Sequence, residues 1–183
     1  MLDLGDGAEL RPLEPWQAHE FAVHVALIRD HLRPWIPFAG QVVDEASARE
    51  LLQRQADRTA RDEGRFYGIW VDGVLRGGTL FRVFDLAAGI CEVGVWLAPD
   101  VQGRGLITRA VNHMIDWAVG RGIMRVEWRT NPANDRSRAV AQRLGMTLEG
   151  VLRSSFLLNG VRHDTEVWSI LADEWPGRSS RIR

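Results

Sequence analysis

The residues from Gln102 to Thr108 have the types and the spacing of an anion-binding loop. An apolar segment stops at Pro99, glycines follow at Gly103 and Gly105, and an amphipathic helical pattern then begins. At a helix start several backbone N–H groups lack intrahelical partners and point outward together. Glycines let a ligand approach this backbone closely, because they carry no Cβ. The pattern therefore predicts a phosphate site, although a pair of glycines can also do no more than cap a helix.

Two familiar phosphate motifs do not fit this loop. A dinucleotide fingerprint needs a third glycine at the position of Thr108, and a P-loop needs a Gly-Lys-Ser/Thr ending that the chain lacks. Residues 102–107 instead follow the pattern Gln-x-x-Gly-x-(Gly/Ala), with Ile107 in place of the final small residue. This pattern resembles the pyrophosphate loop of the GNAT superfamily of N-acetyltransferases, which bind acetyl-CoA.

A second segment strengthens the resemblance. Residues 131–152 are similar to the second acyl-CoA segment of GNAT enzymes, Asn-x-x-Ser-x-x-Val-Ala-x-x-x-Gly-(Phe/Met), followed by Leu-Glu-Gly. The segments 32–37 and 158–171 resemble one subgroup, which includes the ribosomal-protein N-terminal Ser/Ala acetyltransferases. The resemblance covers nearly the whole chain and implies a single N-acetyltransferase domain over residues 1–183, with acetyl-CoA as cofactor and CoA as product. The subgroup also contains enzymes that act on other amines, so it does not identify the acceptor.

The hydrophobic pattern predicts the elements that hold these motifs. Helices are expected from Pro15 to about Leu32 and over residues 45–62, where Asp44 caps the second helix. Two more helices are expected, one directly after the glycine loop at 102–105 and one between Asn134 and Gly145. Strands are expected at 8–13, 65–72, 74–84, 90–97, 123–130, 147–158 and 161–171, with hairpin turns at Asp72-Gly73 and Asn159-Gly160. Residues 35–38 are expected to form an apolar loop that is interrupted by proline. The order β-α-α-β-β-β-α-β-α-β-β predicts an α/β fold with a mixed central sheet of about seven strands and helices on both faces. It is the element order of the GNAT fold.

Acetyl transfer needs a neutral amine and a stabilised leaving thiolate. In many GNAT enzymes a carboxylate on the strand before the loop takes the amine proton, and the resemblance assigns that general-base role to Glu92. Ser137 matches the motif serine and is the candidate to donate to the departing sulfur. Relatives often use a tyrosine there, but this helix has Arg143 and the only tyrosine is Tyr67. The alternatives are an exposed strand carboxylate for Glu92 and a helix cap for Ser137.

The resemblance also implies the residues that hold the cofactor. The pyrophosphate is expected on the backbone of the loop, with charge from Arg104 and a hydroxyl from Thr108, although Arg104 could equally be a solvated loop charge. The pantetheine arm lies between two splayed parallel strands in the family, and Asn134 either contacts it or caps a helix. The expected cofactor-binding residues are Val95, Trp96, Leu97, Gln102, Gly103, Arg104, Gly105, Leu106, Ile107, Thr108, Thr130, Asn134 and Ser137.

The amine acceptor is less well indicated. The aromatic residues Trp35, Phe38, Trp96, Phe156 and Trp168 could line a slot for a peptide N-terminus, a polyamine or an amine drug, or could pack in the core, which is favoured for Trp168. Substrate contacts are predicted for Trp35, Phe38, Glu92, Ser155 and Phe156. Some ribosomal-protein enzymes of the subgroup carry an acidic residue where this chain has Ser155, which disfavours a ribosomal-protein substrate.

Bulk properties narrow the function classes. The chain of 183 residues has a formal net charge of −1, which gives no electrostatic reason to expect nucleic-acid binding. A single cysteine, Cys91, excludes an internal disulfide and is expected in the core, and no metal site is predicted. No signal peptide or membrane span is indicated, so a cytoplasmic protein is expected. We also expect a monomer or homodimer, and a flexible basic tail at residues 176–183. A different acyl-CoA, or a non-catalytic acyl-CoA-binding module, remain alternative functions.

Overall fold

The computed structural model describes residues 1–176, so almost all of the predicted tail lies outside the described residues. The strands are β1 (Leu2–Gly5), β2 (Ala8–Pro12), β3 (Phe66–Val71), β4 (Val74–Asp85), β5 (Ile90–Leu97), β6 (Arg125–Thr130), β7 (Thr147–Leu158) and β8 (Val161–Leu171). The helices are α1 (Ala18–Leu32), α2 (Phe38–Gln41), α3 (Glu45–Ala60), α4 (Leu106–Gly120) and α5 (Asp135–Arg143). No helix within residues 1–176 is long and apolar enough to cross a membrane.

The predicted mixed α/β architecture is confirmed, with small differences in its elements. The strands form one eight-stranded sheet of order β1-β2-β3-β4-β5-β6-β8-β7. The additional strand is β1, which pairs antiparallel with β2 across a two-residue turn and is too short to show a sequence period. The segment predicted as a loop at 35–38 also differs, because Pro37 caps the short helix α2.

The chain divides into two compact units. The first comprises residues 1–80 and 95–107. In it β2, β3 and the start of β4 pair antiparallel, and the predicted hairpin turn is confirmed by positive φ angles of 50° at Asp72 and 79° at Gly73. Asp44 caps α3 as predicted, since its carboxylate accepts a hydrogen bond from the Ser47 N–H at 2.8 Å. Helix α1 is kinked at Ile28, whose backbone leaves helical geometry.

The second unit comprises residues 81–94 and 108–183, of which the structure describes those up to 176. The start of β5 pairs parallel with β6, as the strand–helix–strand order predicts, and β8 pairs antiparallel with both β6 and β7. The hairpin β7–β8 turns at Asn159 and Gly160, with φ angles of 50° and 78°. Helix α4 buries one apolar stripe, which includes Val111, Met114 and Ile115.

Candidate functional site

The loop after β5 is built largely by its backbone. The Ala98 N–H donates to the Arg76 carbonyl at 2.7 Å, and Pro99–Val101 then forms a short 3₁₀ turn. Gly103 and Gly105 have φ angles of 78° and 73°, a left-handed conformation that favours glycine. Helix α4 begins directly after Gly105, so its first N–H groups have no intrahelical partners. The loop therefore has the geometry that binds a phosphate through backbone donors.

The polar side chains of the loop have partners within the first unit. The Arg104 guanidinium donates to the Asp6 carbonyl at 2.5 Å, and Gln102 Nε2 lies 3.1 Å from His31 Nε2. Leu106 and Ile107 bury their side chains, so only their backbone is available to a ligand. The backbone, rather than these side chains, is the part of the loop that is exposed for binding.

Trp96 lies in the core of the first unit. Its indole stacks on Phe66 at 5.2 Å between ring centroids and meets the ring of Phe38 edge-on at 5.4 Å. A Cβ on Gly78 would lie 2.1 Å from this indole, so the glycine makes room for it. The Trp96 Nε1–H donates to His24 Nε2 at 3.3 Å. Trp96 therefore packs in the core rather than lining an exposed aromatic slot, whereas Phe38 is half-buried.

His24 fixes the Trp96 indole through a neutral imidazole. Burial and the nearby Arg76 guanidinium lower the pKa of His24 to about 4, so the ring is uncharged at neutral pH. Nε2 can then accept the indole hydrogen, which a protonated ring could not do. Trp35 is half-buried, and its N–H donates to the Leu32 carbonyl at 2.9 Å at the end of α1.

Glu92 is a buried carboxylate on β5 in the second unit. Only 7% of the residue is exposed, and burial raises the pKa of its carboxyl, against the opposing charges of Arg82 and Arg129. Arg82 Nη1 lies 3.1 Å from Oε1, yet Oε1 accepts no hydrogen bond from the described residues. Arg129 Nε lies 3.7 Å from Oε2. A carboxylate with a raised pKa and an unsatisfied oxygen is suited to accept a proton.

A row of charged side chains on β6, which the sequence analysis missed, lies beside Glu92. Arg125, Glu127 and Arg129 alternate along the strand and share one face, and Glu127 pairs in register with Glu92. Arg125 extends the row to Glu149 on β7, whose pKa it lowers to about 2 by donating a hydrogen bond. The Arg-x-Glu-x-Arg alternation is visible in the sequence, but the strand register that places it beside Glu92 is not.

Ser137 lies in the first turn of α5. Its N–H donates to the Asn134 side chain at 3.1 Å, so Asn134 caps the helix, one of the two roles predicted for it. The Ser137 Oγ accepts a hydrogen bond from the Trp128 Nε1–H at 3.0 Å, and Trp128 is buried. Within residues 1–176 the Ser137 hydroxyl hydrogen has no acceptor. The indole therefore orients the oxygen and leaves its hydrogen available to donate.

The hairpin β7–β8 holds the other predicted acceptor residues. Ser155 is exposed and hydrogen-bonds with the Thr165 hydroxyl at 2.8 Å and the Leu152 carbonyl at 3.0 Å, at an irregularity where Ser154 has a φ of 53°. Phe156 is half-buried, with the Arg82 guanidinium 5.9 Å from its ring centroid. Arg82 therefore contacts both Phe156 and Glu92, which the structure brings to the same part of the second unit.

Two other predictions concern the core. Cys91 is fully buried, and burial raises the pKa of its thiol to about 12, which confirms a core residue. Trp168 is buried, as favoured, and its indole donates to Glu166 at 2.9 Å. Thr130, which was predicted to contact the cofactor, is also buried and ends β6.

Comparisons with known proteins point to one family. The family described as acetyltransferase (GNAT) domain matches residues 9–147. The chain is 31% identical over 170 residues to the "Putative ribosomal N-acetyltransferase YdaF" of Bacillus subtilis (strain 168), covering 92% of this chain and 93% of that protein. It is 26% identical over 133 residues to the ribosomal-protein-serine acetyltransferase of Escherichia coli (strain K12), covering 72% and 74%.

Solved structures share the fold. The RimL ribosomal L7/L12 alpha-N-protein acetyltransferase in complex with CoA superimposes with a TM-score of 0.89 at 22% identity, covering 94% of this chain and 98% of that one. The family match over residues 9–147 contains the loop motif at 102–107 and, within the second segment, the motif positions from Asn134 to Met146.

Proposed function

The chain belongs to the GNAT family of acetyltransferases, which transfer an acetyl group from acetyl-CoA to an amine, and we propose that its acceptor is the α-amino group of a protein N-terminus. Attack is direct, with both substrates bound at once, and the whole chain acts as one acetyltransferase domain. The similarity to relatives named for ribosomal proteins supports this acceptor class and, because ribosomes work in the cytoplasm, a cytoplasmic enzyme. The observation that carries the catalytic part is the buried Glu92 oxygen without a hydrogen bond.

The first unit holds the pyrophosphate of acetyl-CoA. The backbone N–H groups of residues 103–107 provide the donors, and the positive φ angles of Gly103 and Gly105 shape them. Gln102 supports the loop through His31. Arg104 attracts the pyrophosphate through its charge without a direct hydrogen bond, because its guanidinium already donates to the Asp6 carbonyl. Val95, Trp96 and Leu97 offer their backbone to the pantetheine arm.

The second unit performs the proton chemistry. Glu92 takes a proton from the acceptor ammonium, either directly or through one water, so that a neutral amine attacks. Ser137 keeps its proton and donates a hydrogen bond to the sulfur as the thiolate departs, with its oxygen held by Trp128. Thr108 and Thr130 are the second unit's proposed contacts to the cofactor, whereas Asn134 caps α5.

Each unit holds proposed contacts to the acceptor. In the first unit, Trp35 and Phe38 follow α1 and are half-buried. In the second, Phe156 and Ser155 lie on β7. This chain has Ser155 where some relatives carry an acidic residue. Glu92 is therefore the only one of the proposed acceptor contacts that can carry a negative charge to pair with the ammonium group. This favours an acceptor with a single ammonium group over a polyamine.

An acceptor panel tests the proposal. The purified protein is given acetyl-CoA and a peptide with a free N-terminus, the same peptide with its N-terminus blocked but a lysine added, or spermidine. Release of free CoA thiol measures turnover, and mass spectrometry locates the acetyl group. We expect turnover and N-terminal acetylation only with the first peptide. Faster turnover with spermidine, or modification of lysine alone, would reject the protein N-terminus as acceptor.

A further inference from the structure

We propose that Glu127 is a positioning residue, which holds the Arg129 guanidinium so that it cannot hydrogen-bond the Glu92 carboxylate. Glu92 thereby keeps an oxygen that can accept a proton. The inference rests on the proposed function only in its catalytic consequence, because the holding contact itself can be measured without any substrate.

The sheet register creates the need for such an arrangement. Glu92 on β5 and Glu127 on β6 are direct partners in a parallel strand pair. Their side chains therefore lie on one face, where two like charges destabilise the sheet. The arginines at 125 and 129 are two residues to either side of Glu127 on the same face of β6 and supply the compensating charge.

The distances show which carboxylate holds Arg129. Arg129 Nη2 and Nε lie 3.0 Å and 3.2 Å from Glu127 Oε2, within hydrogen-bond range. The same Nε lies 3.7 Å from Glu92 Oε2, which is beyond that range. Arg125 Nε donates to Glu127 Oε1 at 2.9 Å. Both oxygens of Glu127 are therefore occupied, and Arg129 pairs with Glu127 rather than with Glu92.

The charged groups that face Glu92 come from two strands. Arg82 on β4 lies 3.1 Å away, and β6 presents Arg129 and Glu127; the other neighbour, Cys91, is an uncharged thiol. Burial is the largest influence and raises the pKa of Glu92, the two arginines lower it, and Glu127 raises it again. Glu127 thus acts twice in one direction, through its own charge and through its hold on Arg129.

Glu166 is a second buried carboxylate in the same unit, and its contacts differ from those of Glu92. It is 4% exposed, and its Oε2 accepts hydrogen bonds from Arg138 Nε at 3.1 Å and Trp168 Nε1 at 2.9 Å. This oxygen is therefore satisfied by two donors, one of them cationic. At Glu92, Arg82 forms an ion pair with Oε1 but no hydrogen bond, and Glu127 keeps Arg129 beyond hydrogen-bond range of Oε2.

Carbon-13 NMR of protein labelled at the glutamate carboxyl carbons tests the inference. The Glu92 signal is identified as the one that disappears in Glu92→Gln, and its titration midpoint is expected above 4.5 in the parent. In Glu127→Gln the midpoint should fall by about one pH unit, and in Arg129→Met it should rise by a similar amount. Glu149→Gln removes a carboxylate from the far side of Arg125 and should leave the midpoint unchanged.

An unchanged or higher Glu92 midpoint in Glu127→Gln would overturn the inference, whatever the enzyme's activity. If Glu127→Gln fails to fold, Glu127→Asp takes its place, because the shorter side chain keeps the charge but withdraws the carboxylate from Arg129. The Glu92 midpoint should again fall, and an unchanged midpoint there would overturn the inference equally. Kinetics then separate this inference from the proposed function. The acid limb of the kcat profile should follow the NMR midpoints, whereas a merely structural role for Glu127 would lower kcat at every pH without moving the limb.

Discussion

The loop at 98–107 in the first unit and the charged face of β5 and β6 in the second unit are built in different ways. The loop obtains its donors from backbone conformation, set by Pro99, Gly103 and Gly105, which are neighbours in the chain. The charged face obtains its chemistry from Glu92, Glu127 and the arginines beside them, which the sheet register brings together. A site made of backbone donors can therefore be predicted from a short sequence segment, whereas the reactivity of a side chain depends on neighbours that are distant in the sequence.

The two regions should also fail differently when they are changed. A substitution in the loop alters the position of several N–H groups at once, so it should weaken binding of CoA. A substitution on the charged face changes a proton affinity, so it should alter turnover and its pH dependence while binding of CoA persists. The following changes test this division, beginning with the largest expected effect.

Glu92→Gln should reduce kcat about 100-fold or more at neutral pH, because the isostere cannot accept a proton. In the parent, kcat should rise with pH as Glu92 ionises, through a midpoint above the usual 4.5 since burial raises the pKa. The variant should lose this acid limb and recover part of its rate at alkaline pH, where the amine is neutral without a base. Rates at saturating acetyl-CoA from acid to alkaline pH measure both effects.

Glu166→Gln is the matched control for Glu92→Gln, because it neutralises another buried glutamate of the same unit. It should lower thermal stability, since Arg138 and Trp168 donate to Glu166, but it should keep the acid limb of the parent. A Glu92→Gln variant with the parent's pH profile would remove Glu92 from the mechanism.

Gly105→Val should weaken CoA binding more than about tenfold, because a φ of 73° disfavours a branched residue and the loop must change its backbone. Gly73→Val is a control with a similar φ of 79°, in a hairpin turn of the same unit where an added Cβ meets nothing within 4 Å. Both variants should lose stability, but only the first should lose affinity in calorimetric titration. Equal affinities in the two folded variants would refute the phosphate assignment.

Ser137→Ala should lower kcat about tenfold and leave CoA affinity nearly intact, because the lost hydrogen bond is made chiefly to the departing sulfur. Asn134→Ala tests the capping role separately, since Asn134 accepts from the Ser137 N–H. It should reduce stability more than it reduces kcat. A large loss of CoA affinity with a normal kcat in Ser137→Ala would instead make the serine an anchor for the cofactor.

Local signals predicted most of the fold. Asp72-Gly73 and Asn159-Gly160 each require positive φ angles at both turn positions, and both form the predicted hairpins. Asp44 caps its helix through a neighbour three residues away. The elements that were missed lack such signals: β1 is only four residues long, and α2 begins at Phe38 within an apolar segment that has no period.

The candidate site was predictable to a lesser degree. Sequence reasoning found Glu92 and Ser137, but not the groups that determine how they act. Glu127 acts through its register with β5, and Trp128 acts through the approach of α5, neither of which a local pattern encodes. The same limit applies to Trp96, since a strand pattern gives its face and not the aromatic cluster that buries its ring.

Arg104→Met should have the smallest effect and bears most directly on the backbone character of the loop. The Arg104 guanidinium donates to the Asp6 carbonyl, so it contributes to CoA binding only by long-range electrostatic attraction to the phosphates. Water and salt screen such an attraction. We expect CoA affinity to fall less than about threefold at moderate salt. Arg54→Met, which removes an exposed charge from α3 of the same unit, is the control and should match it within error. A tenfold larger loss in Arg104→Met, abolished by high salt, would show that the side chain leaves Asp6 to bind phosphate, and the loop would then be a site built by side chain as well as backbone.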